Sequence, residues 1–366
     1  MDSRLSSNSR KSVSMLDARK SFRADDPLRA LGLQPRPQAM DDSRREAIAA
    51  RLLAGDTPDA ILQDMAREGL PLPLITAEIE AARAHPYLKA AALLQARLAK
   101  RDWLLEARAK LERMGAAEIT RRDRLPPETF FAEHYATLTP VVLTGLTDQW
   151  PGRQWTLDSL AAKVGNPEIE VQTGREADAD FELNSIAHKQ RMRWHDILAR
   201  LADDPETNDF YVTANNSGLN RKALDPLWRD VGDLPGYLGK SHLGDGFFWM
   251  GPKGTVTPWH HDLTQNLLVN MVGVKRVAMV SPAETHRMRN HKHCFSRFGT
   301  DATLAAVPEA ERPRVQTVEI GPGEILFIPV GWWHHVTGLS LSIGMSFTNF
   351  VWDNEFTSFY RSEGEL

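Results

Sequence analysis

The chain has 366 residues, of which 42% are hydrophobic and 25% are charged, and its formal net charge is −4 at pH 7. This composition is that of a folded globular protein with one large or two ordinary domains, and it excludes a wholly disordered chain. The slight excess of acidic residues also argues against a bulk nucleic-acid-binding protein, because such domains are usually strongly basic.

The sequence contains no run of 18 apolar residues, and its first 25 residues lack the apolar stretch of a secretory signal. A transmembrane helix and secretion are therefore not expected. The single cysteine, Cys294, cannot form an intramolecular disulfide, so the fold does not depend on an oxidising compartment. We predict a soluble, cytoplasmic protein that does not bind membranes.

The uneven distribution of aromatic residues predicts distinct parts of the chain. Of the 29 aromatic residues, only Phe22 and Tyr87 lie among the first hundred, and strands favour aromatic side chains. We therefore predict a helical N-terminal domain at residues 41–115 and a mainly β domain at residues 125–366. Residues 1–40 begin with a Ser- and Arg-rich stretch without apolar periodicity, so they are predicted to form a disordered arm.

The helical signals of residues 41–115 are capping residues and apolar periodicity. Thr57 and the proline after it form an N-cap and N1 pair that starts a helix, and Gly69 ends it. A second helix is expected from Pro73 and a long third one from Leu88 to Met114, where leucines recur at helical spacing. These helices form a scaffold or, alternatively, the surface of a homodimer.

From residue 125 onward, short apolar runs alternate with Gly, Pro and Asn. Many short strands bounded by such turn residues are typical of a β-sandwich or β-barrel. Helices are expected beside the strands at residues 157–164 and 195–203. The predicted strands are residues 139–145, 209–213, 246–250, 265–272, 276–280, 315–320, 324–330 and 340–347.

Two segments contain residues that could bind one metal ion. His260 and Asp262 form a His-x-Asp pattern in an extended segment, in which alternate residues point to the same side. His334 and His335 follow an apolar strand later in the chain. A histidine there completes a set of two histidines and one carboxylate, the ligand arrangement of non-haem Fe(II) oxygenases. His260 is also compatible with an ordinary turn histidine, and the histidine pair with packing against the preceding tryptophans.

These segments belong to a longer series of motifs. T-P-W-H-H-D-L-T-Q-N is followed after eight residues by K-R, then by G-P-G-E-I-L-F-I-P-V-G-W-W-H-H-V and by F-T-N-F. In this order the motifs resemble the JmjC, cupin-like, 2-oxoglutarate-dependent oxygenases, above all the small JmjC protein hydroxylases. The resemblance covers about residues 125–352 and implies a mainly β domain with a double-stranded β-helix, or jelly-roll, core. The helical N-terminal region is similar to an extension of bacterial cupin-like proteins.

The resemblance assigns functions to individual residues. His260, Asp262 and His334 are implied as the Fe(II) ligands and catalytic residues. Lys275 is implied as the cation that pairs with the C5 carboxylate of 2-oxoglutarate, since a buried dicarboxylate needs such a partner. His335 is expected to point to the opposite face of its strand. The other positions that the resemblance places beside the co-substrate are Thr257, Tyr211, Asn266 and Asn349.

The resemblance also implies an activity, the hydroxylation of a peptide or protein side chain, in which 2-oxoglutarate and O₂ are consumed and succinate and CO₂ are released. A small-molecule substrate is left open, and so is an RNA substrate, although the acidic composition disfavours it. N-methyl-lysine demethylation is an alternative, because the same hydroxylation of an N-methyl group gives an unstable hemiaminal. A catalytically idle, metal-binding cupin is another.

Two features near the motifs have several interpretations. Trp259 stands where the hydroxylases commonly have a small residue, so it is expected to narrow the substrate entrance. The basic, histidine-rich segment 285–297 is predicted to be a solvated loop, a contact surface for an anionic substrate or a second metal site.

Overall fold

The computed structural model of the protein describes residues 40–115, 118–203, 205–213, 218–239 and 246–361. Contacts between Cα atoms divide the chain into two compact units, Met1–Lys100 and Arg101–Leu366. The arm predicted at residues 1–40 lies outside the described residues, except for Met40. In the part of the chain that is described, no helix is both long enough and apolar enough to cross a membrane.

The first unit contains three helices and the beginning of a long fourth one, which are α1 (Asp42–Ala54), α2 (Pro58–Arg67), α3 (Leu72–Ala84) and α4 (Pro86–Arg113). Thr57 starts α2 as predicted, because its side chain accepts a hydrogen bond from the backbone N–H of Ala60. Gly69 follows the helix with a positive φ of 88°. Helices α1 to α3 enclose one apolar core, formed by Met40, Ile48, Ile61, Met65, Ile75 and Ile79.

Helix α4 continues past the division between the two units after Lys100. The domain bounds predicted at residues 115 and 125 stay a prediction. Within the second unit, Ala109 of α4 is buried and Glu106 forms an ion pair with Arg287. The homodimer through the N-terminal helices stays a prediction. In the first unit, the large apolar side chains that α4 leaves exposed are Tyr87, Leu93, Leu94 and Leu98.

The second unit is built from strands. Those in the described residues are β1 (Arg121–Asp123), β2 (Val141–Thr144), β3 (Glu168–Thr173), β4 (Lys189–Arg193), β5 (Phe210–Tyr211), β6 (Phe247–Gly251), β7 (Val256–His261), β8 (Asn266–Val272), β9 (Lys275–Val280), β10 (Asn290–Lys292), β11 (Phe295–Ser296), β12 (Gln316–Ile320), β13 (Ile325–Ile328), β14 (Trp333–Gly338) and β15 (Ser342–Phe347).

Twelve of these strands form two six-stranded sheets, with the orders β1-β2-β13-β8-β15-β6 and β10-β11-β7-β14-β9-β12. The other three form a small sheet with the order β4-β3-β5. Within the large sheets, strands that are distant in sequence are neighbours, as β13 is to β2 and β8. This arrangement of two facing, mainly antiparallel sheets, in which only β1 and β2 of the described strands pair in parallel, is the jelly-roll core that the motifs implied.

Short helices connect and cover the strands. Helix α6 (Leu157–Val164) has Thr156 as its N-cap, and the side chain of Thr156 forms a capping box with Ser159. Helices α6 and α7 (Trp194–Ala202) agree within one residue with the two helices predicted beside the strands. The helices are α5 (Pro127–Phe130), a π-helical turn (Phe131–Tyr135), α6 (Leu157–Val164), α7 (Trp194–Ala202), α8 (Gly218–Leu224) and α9 (Asp301–Ala305), with 3₁₀ segments at Pro151–Gln154, Arg175–Ala177, Asp225–Asp230, Pro282–Arg287, Glu309–Glu311 and Thr357–Phe359.

Alternation along the strands decides which side chains face the space between the two large sheets. On β8, Leu268 belongs to the core that joins both sheets, whereas Leu267 and Val269 pack on the outer side of their sheet. On β9, Val277 and Met279 point into the same inner core. The odd-numbered residues of β9 therefore face inward.

All eight predicted strands are present, with ends that differ by up to a few residues. Seven further strands of the described residues are not among the predicted ranges, and β3 and β4 are two of them. The sequence of β4 is K-Q-R-M-R, which has no apolar alternation, and it is a strand because it pairs along its whole length with β3.

Candidate active site

Three side chains with metal-binding groups converge between the sheets. His260 is near the end of β7, Asp262 follows that strand, and His334 lies opposite His260 on the paired strand β14. The Nε2 atoms of His260 and His334 are 3.7 and 4.0 Å from the two carboxylate oxygens of Asp262. One donor atom from each residue lies within 4.8 Å of the others, and no other group of three or more such residues occurs in the described chain.

Hydrogen bonds fix the orientation of both imidazole rings. Nδ1 of His260 is 2.8 Å from the carbonyl oxygen of Pro258, and Nδ1 of His334 is 2.9 Å from that of Trp332. Because a carbonyl oxygen only accepts hydrogen bonds, each Nδ1 must be the protonated nitrogen, and each Nε2 keeps its lone pair toward the cluster. Burial and the neighbouring His334 lower the pKa of His260 to about 4, so this ring is neutral at pH 7 and can bind a metal ion.

The carboxylate of Asp262 is oriented by Asn266. The side-chain amide of Asn266 donates a hydrogen bond of 3.0 Å to Oδ2 of Asp262, while Oδ1 faces His260. Although burial by itself raises the pKa of Asp262, the nearby His334 and His260 lower it, so the carboxylate is ionised. Asn266 therefore contacts a candidate metal ligand, and its contact with the co-substrate stays a prediction.

The Asn266→Ala variant should bind a divalent metal about tenfold more weakly, because hydrogen-bonding partners of metal ligands typically contribute 10- to 100-fold to metal affinity. Isothermal titration calorimetry with Mn(II) and the purified protein measures this change in metal affinity. The melting temperature of the metal-free protein serves as the control for folding. An unchanged Mn(II) affinity in a folded variant would show that Asn266 does not position the carboxylate.

A β-bulge in β7 places Thr257 and His260 on the same side. In the pairing with β14, His334 lies opposite His260 and Val336 lies opposite Thr257, so β7 has one extra residue in this interval. Simple alternation would have put Thr257 and His260 on opposite faces. From His260 onward, even-numbered residues face inward without interruption as far as Leu268.

These side chains surround a cavity of about 480 Å³ between the sheets. Its volume is that of a site for small ligands. Of the predicted site residues, the cavity brings together the three metal-binding candidates with Lys275, Thr257, Tyr211 and Asn266. The other lining residues are Glu182, Thr213, Phe247, Trp249, Thr264, Leu268, Ile328, Val336, Ser346 and Thr348.

Lys275 provides a positive charge in this cavity. It is the first residue of β9 and only 2% exposed. Gly344 leaves room for its side chain, since a Cβ at that position would lie 3.3 Å from Nζ. No hydrogen bond or ion pair to Nζ is found among the described residues, and burial lowers the pKa of Lys275 to about 8. A buried ammonium without a partner fits an anionic ligand, as 2-oxoglutarate would be.

The lowered pKa of Lys275 predicts a pH-dependent affinity for a dicarboxylate. Below about pH 8 the free protein already holds the proton, so the dissociation constant should be constant. Above that pH it should rise about tenfold per pH unit, because binding then requires the uptake of a proton. Anaerobic titrations of 2-oxoglutarate into the Mn(II)-loaded protein between pH 7 and pH 9.5 measure this dependence.

The stability of the ligand-free protein should increase over the pH range in which the affinity for the dicarboxylate decreases. The unfolded chain keeps its lysine protonated up to its ordinary pKa of 10.5, so it binds more protons than the folded protein between about pH 8 and that value. The free energy of unfolding of the ligand-free protein should therefore rise with pH in this window. A dissociation constant that stays flat up to pH 9.5 would contradict the low pKa of Lys275.

Two predicted co-substrate residues differ in position. Tyr211 and Thr257 both line the cavity, and burial raises the pKa of Tyr211. Asn349 does not line the cavity; its amide lies 3.4 Å from the carbonyl oxygen of Gly239. Thr348, the residue before it, faces the cavity instead, because successive residues of an extended segment point to opposite sides.

Glu182 is a cavity residue that the sequence analysis missed. Its carboxylate lines the cavity and lies 3.7 Å from Nη2 of Arg175, a side chain with no exposed surface. The negative charge of Glu182 also reaches His260, whose pKa it affects. Glu182 lies in a loop without any recognisable motif, so no local signal in the sequence could have identified it.

Trp259 does not narrow the entrance, which corrects the expectation from the sequence. It is completely buried in an apolar cluster behind the sheet, together with Trp333. Alternation places it opposite to His260. His335 lies on the same outer side, as expected, with Nδ1 3.5 Å from a carboxylate oxygen of Asp301.

The basic segment 285–297 is only partly a solvated loop. Met288 within it is buried, and the guanidinium of Arg287 contacts the carboxylates of Glu106 and Glu284. Its histidines are not part of a second cluster of three metal-binding residues among the described ones. The segment therefore serves in part to hold α4 against the β domain of the second unit.

Fold and site together define a jelly-roll protein with a two-histidine, one-carboxylate cluster suited to a metal ion. Comparison with known families agrees with this class, since the profile described as "Cupin-like domain" matches residues 127–358. The match covers more than half of the chain. The chain belongs to the JmjC, or cupin-like, family.

Several curated proteins are similar to this chain. The lysine-specific demethylase JMJ30 of Arabidopsis thaliana is 29% identical over 254 residues, which are 65% of this chain and 55% of that protein. The lysine-specific demethylase 8 of Xenopus tropicalis is 28% identical over 240 residues, 61% of this chain and 51% of that protein. The tRNA wybutosine-synthesizing protein 5 of Homo sapiens is 23% identical over 242 residues, 62% of this chain and 76% of that protein.

The chain thus spans about half the length of the demethylases that it matches. JmjC proteins are in general Fe(II)- and 2-oxoglutarate-dependent oxygenases, and the His–Asp–His cluster of this chain has the donor groups that such a metal requires. The family is therefore a family of enzymes. The names of the relatives refer to different substrates, lysine in some and tRNA in others, so they do not identify the substrate of this protein.

Proposed function

We propose that the protein is an Fe(II)- and 2-oxoglutarate-dependent dioxygenase that hydroxylates a side chain of a peptide or protein. The observation on which this proposal rests is that one cavity contains both the His260–Asp262–His334 donor set and the buried ammonium of Lys275. A zinc hydrolase or an idle metal-binding cupin would leave the charge of Lys275 without a ligand.

The roles of the residues follow from their chemistry. The three donors would hold Fe(II), which when bound supplies redox chemistry and orients 2-oxoglutarate and O₂. Lys275 would pair with the C5 carboxylate of 2-oxoglutarate, and the hydroxyls of Thr257 and Tyr211 would donate hydrogen bonds to the same group. The apolar walls of the cavity, among them Leu268, would exclude water from the reacting atoms.

A second candidate function is the demethylation of N-methyl-lysine. Glu182 favours it, because a carboxylate in the cavity attracts a cationic side chain, and two of the similar proteins are named lysine-specific demethylases. The same carboxylate also suits the hydroxylation of an unmodified lysine or arginine. In both cases the substrate is a basic residue.

The Glu182→Gln variant should therefore raise KM for a basic peptide about tenfold and leave KM for an uncharged peptide unchanged, since the loss of one partner of a close charge pair weakens binding of the other. Binding of 2-oxoglutarate should not change. Steady-state succinate release with paired lysine and norleucine peptides measures the difference. Equal KM changes for both peptides would show that Glu182 does not select a cation.

The first test of the proposed function is anaerobic titration of 2-oxoglutarate with Mn(II) in place of Fe(II), because binding does not require the unidentified substrate. Metal-dependent binding supports the oxygenase, and a folded, metal-loaded protein that does not bind 2-oxoglutarate would favour the idle cupin. Incubation with Fe(II), 2-oxoglutarate, O₂ and a peptide library then identifies the reaction. A product that gains one oxygen atom indicates hydroxylation, whereas formaldehyde release and the net loss of one CH₂ group indicate demethylation.

A further inference from the structure

A second cavity of about 580 Å³ lies beside the catalytic one, and nothing described above uses it. The two cavities share a wall, the segment 175–183. Glu182 of this segment lines the catalytic cavity, whereas its neighbours Phe181 and Leu183 line the second. Since consecutive Cα atoms are only about 3.8 Å apart, the two cavities are separated by a single layer of chain.

The opposite wall of the second cavity is also connected to the metal cluster. It is formed by residues 296–300, which begin with the last residue of strand β11. In β11, Phe295 pairs with His260, and the two rings are 5.9 Å apart. Both walls of the second cavity therefore continue into the catalytic site.

Three carboxylates line the second cavity, those of Glu176, Asp178 and Asp180. Hydrogen bonds from Asn184 and His188 lower the pKa of Asp178 to about 2, so this carboxylate is ionised at pH 7. Asp180 is exposed, and none of the side-chain hydrogen bonds or ion pairs found among the described residues involves its carboxylate.

The cations on the lining do not neutralise this charge. The positive charge of Arg175 is offset by Glu182, which lines the catalytic cavity. Arg297 lies on the opposite wall and is exposed to solvent. Carboxylates next to the apolar rings of Phe181 and Phe298 suit a lysine or arginine side chain, whose methylene groups pack on the rings while the charged end meets the acids.

Arg175 points to a ligand that also has backbone carbonyl groups. It is fully buried between the rings of Phe181 and Tyr211, at 4.3 and 5.1 Å, and it lines the second cavity. Its Nη2 donates to the carbonyl oxygen of Val256, but its Nε and Nη1 have no acceptor among the described residues. A buried N–H group without an acceptor is costly, and the main chain of a bound peptide would provide one.

We propose that this second cavity binds a basic residue of an extended peptide substrate, at a short distance in sequence from the residue that enters the catalytic cavity. This inference rests on the proposed function, in that the peptide is the substrate of the oxygenase. An extended peptide advances about 3.3 Å per residue, so a few residues span the single layer of chain between the two cavities.

The test uses fluorescein-labelled nonapeptides with a central lysine in a glycine–serine background. A second lysine, or norleucine in its place, is put at each position from one to four on either side. Fluorescence anisotropy with the full-length protein, Mn(II) and 2-oxoglutarate under anaerobic conditions gives the dissociation constants. We expect the second lysine to increase affinity about fivefold or more at one preferred spacing, and norleucine not to do so.

The Asp180→Asn variant should lose this gain, and Asp180→Lys should reverse it, so that a glutamate at the preferred spacing then binds better than a lysine. Such a charge reversal is not expected from a merely structural role of Asp180. Asp233→Asn is the matched control, because Asp233 is an exposed aspartate outside both cavities. A gain without preferred spacing, or one that persists in Asp180→Asn and Asp180→Lys, would overturn the proposal.

The same samples separate this inference from the proposed function. If 2-oxoglutarate does not bind but the preferred spacing still depends on Asp180, the peptide site stands and the oxygenase proposal fails. If 2-oxoglutarate binds and the lysine effect depends on Glu182 alone, the cation enters only the catalytic cavity, and the second cavity has no role in peptide recognition.

Discussion

The Asp262→Ala variant should have no measurable turnover, and its affinity for a divalent metal should fall by more than about 100-fold. Residues that only orient a metal ligand already contribute 10- to 100-fold to metal affinity, so the loss of the ligand itself should reduce that affinity further. Asp262 is the only carboxylate of the cluster, and without it His260 and His334 remain as two neutral donors. Neutral donors alone do not offset the charge of Fe(II).

The measurement combines Mn(II) titration with succinate release under Fe(II), O₂ and 2-oxoglutarate. Asp233→Ala is a suitable control, because it makes the same chemical change at an exposed aspartate outside the cavity. The melting temperature of the metal-free Asp262→Ala variant reports whether the fold is intact. Full activity of this variant would exclude Asp262 as a metal ligand.

The second large effect is expected for Lys275→Met, which should bind 2-oxoglutarate at least about 30-fold more weakly. Removing one member of a buried, hydrogen-bonded charge pair typically costs about 2–5 kcal/mol, and the lower value corresponds to that factor. Methionine has nearly the same length and flexibility as lysine, so the packing beside Gly344 should be kept.

The stability of Lys275→Met distinguishes a binding role from a structural one. In the ligand-free protein the ammonium of Lys275 is buried without a partner among the described residues, so replacing it with an apolar side chain should leave the melting temperature unchanged or raise it. A lower melting temperature together with unchanged 2-oxoglutarate affinity would show that Lys275 supports the fold and does not bind the co-substrate. Mn(II) affinity in the variant serves as the control for an intact metal cluster.

The local part of the site could be predicted from the sequence because it depends on short-range geometry. His260 and Asp262 are two positions apart in an extended segment, so their side chains had to share a face. The same rule applied to Trp259 would have placed it behind the sheet, and the structure finds it there. The resemblance to the hydroxylases had suggested that Trp259 lies at the entrance. This expectation was wrong, because the alternation of side chains along β7 directs Trp259 to the other face of the sheet.

Other parts of the site depend on pairing between distant strands. The bulge that brings Thr257 to the face of His260 exists only in the pairing of β7 with β14. Asn349 matches the hydroxylases by its position in the sequence. Its neighbour Thr348 faces the cavity, however, and alternation of side chains along the extended segment then directs Asn349 to the other side. Glu182 comes into the cavity from a loop, and a loop position is set by what the chain packs against.

The sequence by itself determined the class of fold, the positions of the helix caps and predicted strands, and the identity of the residues with metal-binding groups, because hydrophobic periodicity, capping and residue chemistry are local properties. Only the tertiary structure decided which of these residues meet. His334 reaches His260 through antiparallel pairing across a long stretch of chain, and the side chain of Lys275 fits inside the cavity because Gly344 of another strand makes room for it. Such contacts arise from the packing of both sheets, which no local pattern of residues specifies.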